Sequence, residues 1–195
     1  MAPRNVLLIV RQGANRGLGI GLLKVFKEQG YNVFGTIRPQ TRSDPSFEDL
    51  KTTGATIIDL DYLEEDSIAA AAESYGNDQA LDVLVNCGGI EMHPENWIDT
   101  TAESLIYTSE WASIAAANKN NANDCGTHIS YRMPKSALNA LNISVAIELK
   151  AAKESIAVLC IDPGDVPTKL SRWVGDIDLN DSVHGMFEHV EKATI

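Results

Sequence analysis

The order of its hydropathy patterns constrains this chain most, because short continuous apolar runs alternate with segments of helical period along the 195 residues. Asn5–Val10 is a continuous apolar run after its first residue, as expected of a strand covered on both faces. Helical spacing follows over Ile20–Glu28, where Leu22, Leu23, Val25 and Phe26 share a face. Asn32–Ile37, Thr56–Leu60, Leu81–Val85, Ser104–Thr108 and Ile156–Ile161 read as further strands. Helices are expected over Glu64–Tyr75, over Lys135–Lys153 and around Val183–Val190, with an Asn- and Ala-rich polar loop near Ala115–Asp124. Strands separated by helices cannot pair as hairpins, so the order predicts a parallel sheet with helices on both faces. The expectation is one α/β domain over residues 1–195: a doubly wound parallel sheet of about six strands in three α/β/α layers.

Composition narrows the classes of partner. The formal net charge is −11, a field that repels phosphate backbones and anionic lipid headgroups, so neither nucleic acid nor membrane is expected as a partner. The apolar runs are far shorter than the roughly 20 residues that span a bilayer, and the N-terminus lacks the layout of a signal peptide. A cytoplasmic protein is expected. Cys87, Cys125 and Cys160 form neither an even framework nor a CxxC pair, and His93, His128, His184 and His189 are scattered. Reduced thiols and no metal site are the expectation.

Where the first strand hands over to the first helix stands Gly13-Ala14-Asn15-Arg16-Gly17-Leu18-Gly19. Glycines there let the backbone turn tightly and approach a pyrophosphate, and the amides opening the helix favour negative charge. An ordinary βα turn could carry the same glycines. Its place in the first βαβ unit of a doubly wound pattern points instead to a Rossmann-type, dinucleotide-binding fold.

The 13-17-19 spacing of these glycines resembles the short-chain dehydrogenase/reductase family. Three other stretches carry the resemblance along nearly the whole chain. Asn86-Cys87-Gly88-Gly89 stands where the family has Asn-Asn-Ala-Gly after the fourth strand, and Asp59-Leu60-Asp61 ends the third, where the resemblance implies an adenine contact for Asp61. Pro163-Gly164, with Val166 and Thr168, follows the sixth strand, where the resemblance implies a nicotinamide cradle.

Charge decides which dinucleotide is expected. Sites for NAD place an acid at the end of the second strand, which would repel a 2′-phosphate. Here that strand ends Gly35-Thr36-Ile37-Arg38, with no carboxylate before Asp44, and Arg16 lies in the glycine turn. Two guanidinium groups could clamp a phosphate, so NADP(H) is preferred. If both arginines are merely solvated, NAD(H) stays open.

Tyr131 and Lys135 are four residues apart, one helical turn, so both can lie on one face. A phenol titrates near 10, and a nearby ammonium favours its ionised form. The stretch Tyr131–Asn139 resembles the carbonyl-reductase-like branch that includes the C-factor and sniffer proteins. The resemblance implies that Tyr131 exchanges a proton with the substrate oxygen while Lys135 assists and holds the nicotinamide ribose. It places a carbonyl-orienting serine at Ser109, with Ser113 in reserve. The function so implied is interconversion of a small carbonyl compound and its secondary alcohol.

Departures from the family pattern are Gln12 before the first glycine, Cys87 and Gly88 in the Asn-Asn-Ala-Gly stretch, and Pro134 between Tyr131 and Lys135. With Pro134 in a first turn, Tyr131 is expected slightly before regular helix. The connection Cys87–Glu103 is too short for the long helix that the family uses there and in its dimers. The family also continues beyond the position of Ile195 with a strand and a substrate-covering tail. Homodimerisation is therefore expected only through a weakened interface. A divergent enzyme, a repurposed or impaired dinucleotide-binding protein, a redox-neutral isomerase and an incomplete gene model all fit these departures.

Overall fold

In a computed structural model, residues 3–9, 14–61, 63–87, 129–169 and 171–193 are described, with residues 9 and 129–134 described by backbone alone. The chain divides into two compact units. One comprises Met1–Gly88 with Pro163–Glu188, the other Gly89–Asp162 with His189–Ile195.

The first unit is built on four strands, β1 (Asn5–Ile9), β2 (Asn32–Ile37), β3 (Thr56–Asp59) and β4 (Val83–Asn86). All pair in parallel, in the order β3-β2-β1-β4. The chain thus walks from β1 outward to β3 and then returns to the other side of β1. That reversal is the switch point at which doubly wound sheets open a ligand crevice beyond their carboxyl ends. Register aligns those ends, because Ile9 lies opposite Asn86 and Ile37 opposite Asp59.

Successive residues of β2 point to opposite faces and so identify what covers each. At Gly35 the nearest side chains are Leu23 of α1 (Gly17–Glu28), Ala14, and Leu50 of α2 (Ser46–Thr52). Its neighbour Phe34 instead meets Tyr75 of α3 (Glu65–Tyr75), with ring centroids 4.8 Å apart. Helices therefore cover both faces of this strand, as the alternating pattern predicts. On α1, Gly19, Leu22, Leu23 and Phe26 are buried, the stripe that a 3.6-residue period presents to a sheet. Phe26 packs edge-to-face on Tyr31 and on Phe187 of α5 (Leu179–Lys192), at 5.0 and 5.1 Å. Full burial of a side chain such as Phe26, 1% exposed, stabilises the fold by roughly 1.5–3 kcal/mol.

The second unit contains α4 (Ile129–Ala151). Its regular backbone takes in Tyr131, which corrects the expectation that Pro134 delays the helix. A proline one turn in removes a single amide hydrogen bond, and the rest of the turn can continue. Beyond the helix, Asn142 Nδ2 donates to Cys160 Sγ at 3.0 Å.

Four of the six expected strands form. Ser104–Thr108 lies outside the described residues. Ile156–Ile161 is described but adopts no strand, a second correction. Ile156 and Leu159 are exposed, and the segment has no ladder partner among the described residues. An apolar run becomes a central strand only where neighbouring edges satisfy its backbone. Conversely, α2 and the 3-10 helix Pro39–Ser43 were not expected from the sequence.

Candidate cofactor site

The glycine turn is anchored before it reaches the helix. The Ala14 amide donates to the Thr36 carbonyl at 2.9 Å, and both residues are buried. Asn15 is 2% exposed and its Nδ2 donates to Ser46 Oγ. Arg16 is extended and begins α1 without a side-chain cap, and no acidic residue occupies the first turn. The opening amides of this 12-residue helix thus receive no cap from the Arg16 side chain, and the helix dipole there favours an anion.

Gly17 has φ +55, a left-handed conformation that favours glycine. A Cβ there would sit 3.7 Å from Thr168 Cγ2, so the fold carries Thr168 to the glycine turn across the length of the sequence. Thr168 is held by the Ser171 hydroxyl. Ser171 Oγ accepts the Thr168 amide and donates to the Val166 carbonyl, each at 2.9 Å. Val166 is buried, and the Pro163 carbonyl accepts Ser182 Oγ from α5 at 2.7 Å. Gly164 lies within the same segment.

Arg38 follows β2 directly and opens the 3-10 helix. Arg16 Nε and Arg38 Nε are both buried, and neither has a hydrogen-bond partner among the described residues. A buried donor of this kind costs free energy until an acceptor reaches it. Two such donors, one at the start of α1 and one at the end of β2, suit a phosphate, which presents several acceptor oxygens. These residues fit the adenosine end of a phosphorylated dinucleotide.

The remaining expected residues fall as follows. Leu18 and Gly19 open α1. Asp61 follows β3, where its amide donates to Ser67 Oγ at 2.9 Å and its Oδ1 accepts the Leu63 amide at 3.3 Å. Asn86 ends β4 at the carboxyl edge. Gly13, Gly88 and Ser109 lie outside the described residues, as does the Tyr131 side chain. Lys135 is half-buried on α4, four residues after Tyr131, in the second unit.

Two residues at the first unit's site carried no sequence signal. Ser46 Oγ donates to Asp44 Oδ1, and the Ser46 amide donates to the same oxygen at 2.9 Å. The Ser46 hydroxyl and amide hold the Asp44 carboxyl below its ordinary value, helped by the nearby positive charges of Arg16 and Lys169.

No family model matches the chain. A short-chain dehydrogenase/reductase of Pestalotiopsis microspora is 28% identical over 160 residues, covering 79% of this chain. The chain spans 56% of that relative's length. An oxidoreductase of Staphylococcus saprophyticus is 27% identical over 194 residues, covering 85% of this chain and 80% of the relative. Among solved structures, a short-chain dehydrogenase/reductase of Burkholderia multivorans with bound NADP superposes with TM-score 0.79 at 24% identity. The match covers 97% of this chain and 91% of that one. A carbonyl reductase of Pseudomonas aeruginosa in complex with NADP gives TM-score 0.74 at 22% identity, covering 98% and 92%. The fold is Rossmann-type α/β, and the chain is similar in sequence to a short-chain dehydrogenase/reductase and to other oxidoreductases. No helix among the described residues is long and apolar enough to cross a membrane.

Proposed function

We propose that the chain is an NADP(H)-dependent oxidoreductase that interconverts a carbonyl compound and its secondary alcohol. The observation that carries this is the pair of buried Nε donors, Arg16 at the start of α1 and Arg38 at the end of β2, neither with a hydrogen-bond partner among the described residues. The four described strands run in parallel with a strand-order reversal beside β1, which supports the reading, and the relatives and structures named above include oxidoreductases and NADP-bound proteins.

In this proposal Gly13, Asn15, Gly17, Leu18 and Gly19 hold the pyrophosphate with backbone amides, and Arg16 and Arg38 hold the 2′-phosphate. Asp61 receives the adenine. Asn86, Gly88, Pro163, Gly164, Val166 and Thr168 hold the nicotinamide half. The bound nicotinamide supplies or accepts the hydride. Ser109 orients the substrate carbonyl by donating its hydroxyl proton in a hydrogen bond. Tyr131 gives a proton to that oxygen in reduction and removes it in oxidation. The Lys135 ammonium favours the ionised phenol and holds the ribose. Residues 1–195 then form one dinucleotide-binding domain. A cytoplasmic location, with dimerisation only through a weakened interface, completes the proposal; the reduced thiols of Cys87 and Cys160 suit the location.

Titration of the chain with NADPH, followed by carbonyl-dependent NADPH consumption, tests it. Tyr131→Phe is expected to retain binding and to lose turnover by at least about 100-fold. Tight NADPH binding without turnover on a broad carbonyl panel would transfer the chain to the class of dinucleotide-binding proteins without redox activity. Failure to bind NADPH would sink the proposal.

A further inference from the structure

The sequence offers no acid at the end of β2, yet the fold returns one to the glycine turn. Asp44 closes the 3-10 helix, its amide donating to the Thr41 carbonyl at 2.9 Å. Its Oδ1 takes both the amide and the hydroxyl proton of Ser46. The Ser46 hydroxyl has one proton, and donating it to Asp44 leaves the oxygen to accept from Asn15 Nδ2. The direction of the chain is therefore fixed as Asn15 to Ser46 to Asp44, and it ends on a carboxylate. It crosses 31 residues of sequence to grip a side chain that is 2% exposed inside the turn.

We propose that Asp44 is a positioning residue that sets nucleotide selectivity. Through Ser46 it fixes Asn15, and its carboxylate adds negative charge beside the glycine turn that carries Arg16, so that the adenosine end accepts NAD(H) alongside NADP(H). The inference rests on the dinucleotide reading above. Charge balance gives it direction. Arg16, Arg38 and Lys169 attract a 2′-phosphate, while Asp44, tied to Asn15 of the glycine turn through Ser46, repels one. A ribose 2′-hydroxyl carries no charge and can donate to a carboxylate, so the same group that weakens NADPH does not weaken NADH. Arg16 Nε has no hydrogen-bond partner among the described residues, so Asp44 balances its charge without occupying that donor.

The experiment titrates NADPH and NADH into the full chain and into two variants, at low salt and at about 1 M salt. Asp44→Asn keeps an acceptor oxygen for Ser46 and removes the charge. It is expected to tighten NADPH about tenfold relative to NADH at low salt, with the gain shrinking in high salt. Ser46→Ala keeps the charge and cuts the hydrogen-bond chain, and should weaken both nucleotides by the same factor. An unchanged NADPH-to-NADH ratio in Asp44→Asn, or a gain indifferent to salt, overturns the assignment. A wild-type chain that binds neither nucleotide overturns the dinucleotide reading itself, an outcome distinct from an unchanged ratio in a chain that binds both.

Discussion

The Ala14 amide bonds to the Thr36 carbonyl at 2.9 Å, which fastens the glycine turn to β2 one residue before that strand ends. The distance between the turn and Arg38 is consequently set by strand geometry rather than by a loop. Gly35 sits beneath this junction, and the space above it is already filled. A Cβ there would lie 3.0 Å from Leu23 Cδ1 and 3.1 Å from the Ala14 Cβ.

Gly35→Ala should therefore be destabilising by about 1–3 kcal/mol, because a packed core answers an added methyl with strain. In thermal unfolding this corresponds to a fall of roughly 3–10 °C in Tm. The same variant should bind NADPH more weakly, since Ala14 must move. A Tm equal to that of wild type would show that Leu23 relaxes at no cost.

Arg38→Gln removes one of the two buried Nε donors along with its charge. NADPH affinity is expected to fall about tenfold or more, with NADH affinity changed less than threefold and a shallower dependence on salt. Isothermal titration at two ionic strengths measures both. Equal losses for the two nucleotides would assign Arg38 a structural role.

Arg42 and Asp59 form an ion pair at 2.9 Å whose side chains are each 45% exposed. Solvent screening and side-chain entropy leave such pairs worth about 0–1 kcal/mol. Asp59→Asn should accordingly change denaturant stability by less than about 1 kcal/mol. Asp59 and Asp61 are close in sequence, and this contrast separates a surface pair from a residue proposed to meet the adenine.

The Asp44 carboxyl, drawn below its ordinary value of 3.8 by the Ser46 hydroxyl and amide, links stability to pH. Its native form holds the proton less tightly than the unfolded form. Its contribution is present above that ordinary value and is lost as pH falls through the lower native one. Denaturant curves between roughly pH 5 and pH 3 should show a smaller acid loss in Asp44→Asn than in wild type. Parallel acid losses in the two proteins would rule the linkage out.

Much of the first unit is legible in the sequence because its signals are local. Asn5–Ile9 is a continuous apolar run, α1 shows a helical stripe, and the glycines stand where strand meets helix. Signals that depend on distant partners are not legible. Leu50 is the buried side chain of α2, and one position cannot display a period. Asn15 and Ser46 meet across 31 residues with no motif to join them. Ile156–Ile161 errs the opposite way, since its hydropathy suits a strand while its described backbone has no ladder. Family wording pointed to Thr168, and its contact with Gly17 is visible only in three dimensions.

The sheet also implies an order of assembly. Asn5 opens β1, and its amide and side chain are bound by Asp82 and Ala80, 77 and 75 residues away. Local pairing can zip β1 to β2 and β2 to β3 over short spans, whereas β4 must first close the longest of these loops. On this loop-closure argument the crevice at the strand-order reversal is expected to form last, and hydrogen exchange of the β1–β4 amides would report how readily it opens.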